Sequence, residues 1–100
     1  MTAQEAAVTV AARMAKLNRR WSRPDGAHQQ CEQASWRLKW ALEEQGVHAD
    51  LITWENPPHV AVLVEDTVID LTARQFDPQA DYPAISTPKQ WRTWMEEVAR

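Results

Sequence analysis

The stretch His59-Val60-Ala61-Val62-Leu63-Val64-Glu65-Asp66-Thr67-Val68-Ile69-Asp70-Leu71 decides the fold of this 100-residue chain. Two runs of β-branched and apolar residues flank Glu65-Asp66, which predicts an antiparallel hairpin over residues 59–64 and 67–71. A two-residue loop pairs Val64 with Thr67, Ala61 with Asp70 and His59 with Thr72. His59 and Asp70 then stand diagonally on one face, about 7–8 Å apart at the backbone and within side-chain reach. A three-residue loop instead sends Asp70 to the opposite face. Small Ala61 on the shared face leaves room for an imidazole–carboxylate contact.

Working outward, residues 47–54 read as a further strand, separated from the hairpin by Asn56-Pro57-Pro58, where the prolines deny backbone donors. Upstream, Cys31, Ala34, Ser35, Leu38, Ala41 and Leu42 share one face of a helix over residues 31–45, stopped by Gly46. Trp36 and Trp40 project from another side of that helix as a second packing surface. Thr2 and Glu5 form a capping box for a first helix over residues 3–21. Its stripe is Ala3, Ala7, Val10, Met14, Leu17 and Trp21, and Pro24-Asp25-Gly26 breaks it as a turn. Downstream, residues 72–86 are irregular; Thr87 and Pro88 then start a last helix with Trp91, Trp94, Met95 and Val98 inward. The expectation is one α+β domain over 1–100, with N-terminal helices on a three-stranded antiparallel sheet and a C-terminal helix.

Composition narrows the classes. Hydrophobic residues at 44% and charged residues at 25% are those of a globular chain. A net charge of −3 excludes a dedicated nucleic-acid binder, which needs surplus cations for phosphates. No apolar run nears the roughly 18 residues of a membrane span. One cysteine forms no internal disulfide, so a reducing compartment, the cytoplasm, is expected. Six tryptophans against one phenylalanine and one tyrosine is an odd ratio.

Three residues carry chemistry. Cys31 opens a helix, where unpaired amides and the macrodipole favour a thiolate. His59 opens a strand and is suited to hold and return a proton, and Asp70 on the next strand orients the ring. Taken alone, Cys31 reads equally as a small buried hydrophobe and His59 as a strand-edge residue. Asp70 between Ile69 and Leu71 is costly on a core face unless paired.

The run Cys31-Glu32-Gln33-Ala34-Ser35, the Leu38/Leu42 helix ending in Gly46, His59-Val60-Ala61-Val62 and the phrase Val68-Ile69-Asp70-Leu71-Thr72-Ala73-Arg74-Gln75-Phe76 resemble papain-fold toxin and effector domains. These are bacterial thiol enzymes of the papain/transglutaminase-like fold, many of them protein-glutamine deamidases. The resemblance is strongest over residues 27–86. It implies a minimal papain-like fold, with Cys31 as nucleophile, His59 as base and Asp70 as orienting acid, acting on a protein substrate without cofactor. The chain is shorter than papain-type peptidases and has no second lobe. The alternatives are a cysteine peptidase or related amide hydrolase, and a non-catalytic papain-like binding module.

The Cys31 amide is one oxyanion-hole donor, and the side chain of Gln29 or Gln30 is the second, with Gln30 preferred. Trp21 and Trp54, at element ends, are the expected cleft-lining residues. His28-x-x-Cys31 with His48 and His59 has one thiolate and loose spacing, so no metal is expected. Arg13, Lys16, Arg19, Arg20 and Arg23 form a basic stretch that reads as a solvated face, or as a dock for an acidic partner. Arg74 is expected to pair with a carboxylate and Phe76 to anchor the irregular segment. Trp36 and Trp40, if exposed together, offer a surface for a protein partner or a second copy.

Overall fold

The computed structural model describes residues 1–99. Helix α1 spans Ala3–Leu17 and starts at the expected Thr2–Glu5 capping box. It is shorter than expected because Asn18 ends it, donating both its backbone N–H and its side-chain Nδ2 to the Met14 carbonyl. A 3-10 turn, Arg19–Ser22, follows and turns Trp21 inward. Pro24-Asp25-Gly26 is not an open turn but the start of a one-turn helix, α2, Pro24–Ala27, with proline at its first turn. Gly26 is obligatory there, since a Cβ would sit 1.9 Å from the Arg20 carbonyl oxygen.

Helix α3, Cys31–Glu44, begins at the thiol and ends as its sequence requires. Gly46 takes a left-handed φ of 78°, and the N–H groups of Gly46 and Val47 return to the Glu43 and Leu42 carbonyls. Val47 is thereby spent on finishing the helix, so strand β1 starts three residues later than expected, at Asp50–Trp54. Strands β2 (His59–Val64) and β3 (Thr67–Asp70) form the expected hairpin. Val64 pairs with Thr67 and Val62 with Ile69, the register of a two-residue loop. Glu65 adopts the positive φ, 53°, that such a loop needs at its first position.

The sheet has four strands, not three, in the order β1-β2-β3-β4, all antiparallel. Strand β4 is only Ala84–Ser86, too short for alternation to reveal, and pairs Ala84 with Asp70. Helix α4, Pro88–Val98, has the expected Thr87 cap.

Strand alternation divides the core into two layers. Val62, Val64, Ile69 and Leu71 pack with Ala7, Ala11, Trp21, Leu38 and Leu42 from α1, α3 and the intervening turn. Ile52, Ala61 and Val68 face the other way, toward Trp91 and Met95 of α4. Full burial of a leucine such as Leu38 or Leu42 contributes about 2 kcal/mol. The second layer is the one into which His59 and Asp70 point.

Candidate active site

Cys31 is the first residue of α3, half-buried, and its helix is pinned to β2 one turn later by the Ser35 hydroxyl, which donates to the Val60 carbonyl at 3.1 Å. That bond sets the thiol beside the first residues of β2. Backbone N–H groups of Glu32 and Val60 bear on the sulfur, as the open start of a helix allows.

His59 and Asp70 meet as the register requires: Nε2 lies 2.6 Å from Oδ2, and both side chains are buried. Asp70 carries a full set of donors. Oδ2 also accepts the Trp91 indole N–H at 3.1 Å, and Oδ1 accepts the Thr72 backbone N–H at 3.0 Å and its hydroxyl at 3.5 Å. A carboxylate sealed from water is costly unless its oxygens are satisfied this way. The imidazole is held flat against the Trp91 ring, 5.8 Å and 21°, and edge-on to Phe76 at 4.9 Å.

With Nε2 committed to Asp70, Nδ1 is the ring nitrogen left for the cleft. Gln75 Nε2 stands 3.5 Å from Nδ1 and 3.2 Å from the Thr72 hydroxyl, while its Oε1 accepts the Gln29 N–H at 3.4 Å. The Gln29 donor fixes which end of the carboxamide faces the ring. Gln75 therefore donates to Nδ1 only while that nitrogen lacks a proton.

The electrostatics of the pair are reciprocal. Burial raises the Cys31 thiol more than any other single influence, but the hydrogen-bonding and charge of His59, with the Val60 and Glu32 amides, together bring it below its ordinary value. Burial likewise works against the His59 cation; the Asp70 hydrogen bond, then Cys31 and the Asp70 charge, overcome it and raise the ring from 6.5 to about 9. Both shifts favour a thiolate–imidazolium pair near neutral pH.

A cavity of about 410 Å³ opens on Cys31 and His59, walled by Trp36, Trp54, Pro58 and Glu32. Trp54 thus lines the cleft as expected, its indole N–H anchored on the Asn56 carbonyl at 3.2 Å. Trp21 does not. It is fully buried in the α1/α3 core because the chain leaves helical geometry at Asn18 before reaching it. Gln30 caps α3 without a side-chain cap bond and is not on the cavity wall, and Gln29 is exposed at a left-handed φ of 59°. Among the described residues Arg74 pairs with no carboxylate; its Nε and Nη1 donate to the Ala80 and Ser22 carbonyls. Trp36 and Trp40 are exposed together, ring centroids 5.7 Å apart.

Sequence reasoning missed Thr72, Gln75 and Trp91 as members of the site. Thr72 follows Asp70 at the i+2 spacing of an Asx turn, a readable signal. Trp91 was legible only as one of a buried helical stripe. Among the described residues, no three His, Cys, Asp or Glu side chains converge as a metal-binding group. No described helix is long and apolar enough to cross a membrane. Comparison of the chain with protein-family models, with curated proteins and with solved structures gives no match in any of the three.

Proposed function

We propose that the protein is a papain-like thiol hydrolase that cleaves amides through Cys31, His59 and Asp70, and that its substrate is a glutamine side chain of another protein. The observation that carries this reading is the 2.6 Å His59–Asp70 pair buried beside a half-exposed thiol at a helix start. The glutamine assignment rests on the resemblance of residues 27–86 to papain-fold effector domains.

In the proposed reaction the Cys31 thiolate attacks the carboxamide carbon, forming a C–S bond and an oxyanion. The backbone N–H of Cys31, at the open start of α3, is the donor assigned to that oxyanion. Each such donor is typically worth about 3 kcal/mol of barrier. The imidazolium passes a proton to nitrogen as the C–N bond breaks, and ammonia leaves. His59 is then neutral, held by Asp70 through Nε2, and its Nδ1 lone pair accepts a proton once the Gln75 amide gives way to water. A water gives that proton to His59 as its oxygen attacks the thioester. Collapse expels the Cys31 thiolate, leaves a carboxylate and restores the starting pair.

The test is iodoacetamide alkylation of the intact protein at pH 6, with Cys31→Ala as the blank. Modification faster than that of a free thiol is expected, because the thiolate persists there. A rate no greater than the model thiol refutes the enzymatic reading and leaves the binding module. For a captured substrate protein, ammonia release from an unbroken chain supports deamidation, and fragments would replace it with proteolysis.

A further inference from the structure

The basic stretch of residues 13–23 is unused by the chemistry above, in a chain whose net charge is −3. Where α1 ends, the chain encloses a second cavity of about 340 Å³, lined by Lys16, Arg19, Ser22, Arg74 and Tyr82. No carboxylate lines it. Among the described residues, no Asp or Glu oxygen comes within 4.0 Å of the charged groups of Lys16, Arg19 or Arg74.

Cations near a helix C-terminus ordinarily answer its unpaired carbonyls. Here the Met14 and Ala15 carbonyls of that last turn are already engaged. Asn18 donates to Met14, and the Tyr82 hydroxyl lies 3.0 Å from the Ala15 oxygen and 2.6 Å from that of Asn18. Lys16, Arg19 and Arg74 are left without a carboxylate partner among the described residues. Arg74 is also preset. Two of its nitrogens are tied to the Ser22 and Ala80 carbonyls, and the guanidinium lies 5.6 Å over the Tyr82 ring, so its charge is held at the cavity wall without further ordering.

We propose that this cavity binds a phosphate group, the doubly charged oxyanion that the three cations on its wall would compensate. Arg74 supplies a fixed guanidinium edge, and Arg19 and Lys16 close from the exposed side; the Ser22 hydroxyl on the wall is already donated to the Arg19 carbonyl. A monovalent carboxylate would leave more than half of that positive charge unanswered.

The experiment is a titration of the full chain with inorganic phosphate, followed by amide and arginine side-chain shifts, at ionic strength held constant with sodium chloride. The expected result is saturable shifts at Arg19, Ser22, Arg74 and Tyr82, at least about tenfold weaker in Arg19→Glu and unchanged in Arg13→Glu. Arg19 is exposed and its side chain makes no hydrogen bond among the described residues, so an otherwise unaltered spectrum certifies the variant's fold, and Arg19→Gln gives a smaller loss in the same direction. Parallel arms with a nucleoside monophosphate and with phosphoserine identify the bearer of the group by whichever saturates at the lower concentration. Shifts that rise linearly, that chloride reproduces, or that Arg19→Glu leaves intact overturn the proposal.

Discussion

Replacing Cys31 with serine should change how stability depends on pH. In the wild type, folding raises the His59 pKa from 6.5 to about 9, so the native state holds a proton there that the unfolded chain gives up. That contribution is fully present below pH 6.5 and is lost as pH rises through about 9; at about 1.36 kcal/mol per unit it is about 3 kcal/mol. Cys31 acts with the opposite sign. Its native pKa is lowered, so its contribution is present above the unfolded thiol value and is lost as pH falls through the folded one. Between the folded and unfolded thiol values, folding adds a proton on the ring and releases one from sulfur. The two slopes therefore oppose each other in the wild type. Serine removes the sulfur's half and also the share of the His59 shift that Cys31 supplies, leaving the Asp70-held imidazolium, whose stabilisation then declines openly from pH 6.5 upward by less than the wild-type figure. Urea unfolding of wild type and Cys31→Ser across pH 6 to 9.5 measures this directly. A Cys31→Ser/Asp70→Asn double variant should lose the slope. Parallel pH profiles for wild type and Cys31→Ser would refute the thiolate–imidazolium argument.

Three further outcomes follow from particular contacts. Gly26→Ala drives a methyl to 1.9 Å from the Arg20 carbonyl and should destabilise by more than about 2 kcal/mol in thermal or urea unfolding, whereas an exposed substitution such as Arg92→Ala stays within about 0.5 kcal/mol. Trp91→Phe keeps most of the ring packed on His59 but removes a donor from Asp70 Oδ2, and should cost about 2 kcal/mol by chemical denaturation. Ser35→Ala deletes the bond that seats the thiol beside β2; about 1 kcal/mol of stability and a measurable fall in alkylation rate at pH 6 are expected, with the far-ultraviolet spectrum unchanged.

What the sequence disclosed and what it withheld divide along physical lines. The hairpin was legible because period-two alternation and a two-residue loop fix the parity of the faces, and parity alone brings Asp70 to His59. Cys31 was legible because helix starts and stops have local chemistry: Gly46 and the Thr2 and Thr87 caps behave as their types require. Trp21 was misplaced because helical spacing continues past Asn18 on paper, while the Asn18 side chain ends the helix through a bond that periodicity does not register. Strand β4 was missed for want of length, and with it the reason Asp70 is covered on its far side. Gln75 and Trp91 join the site through contacts 16 and 21 residues away, set by packing after the sheet has formed, which no local pattern reports.

The sheet is also a partition. The helix that carries Cys31 rests its apolar side on one layer, while ring, carboxylate and their aromatic supports belong to the opposite layer. Repacking beneath α3, at Leu38 or Leu42, and repacking beneath α4, at Met95, therefore act on different halves of the same constellation, and their energetic effects should sum with little cross-talk. The seat of the thiol and the seat of the ring are thus reached through different layers of the core, by substitutions that never touch the pocket.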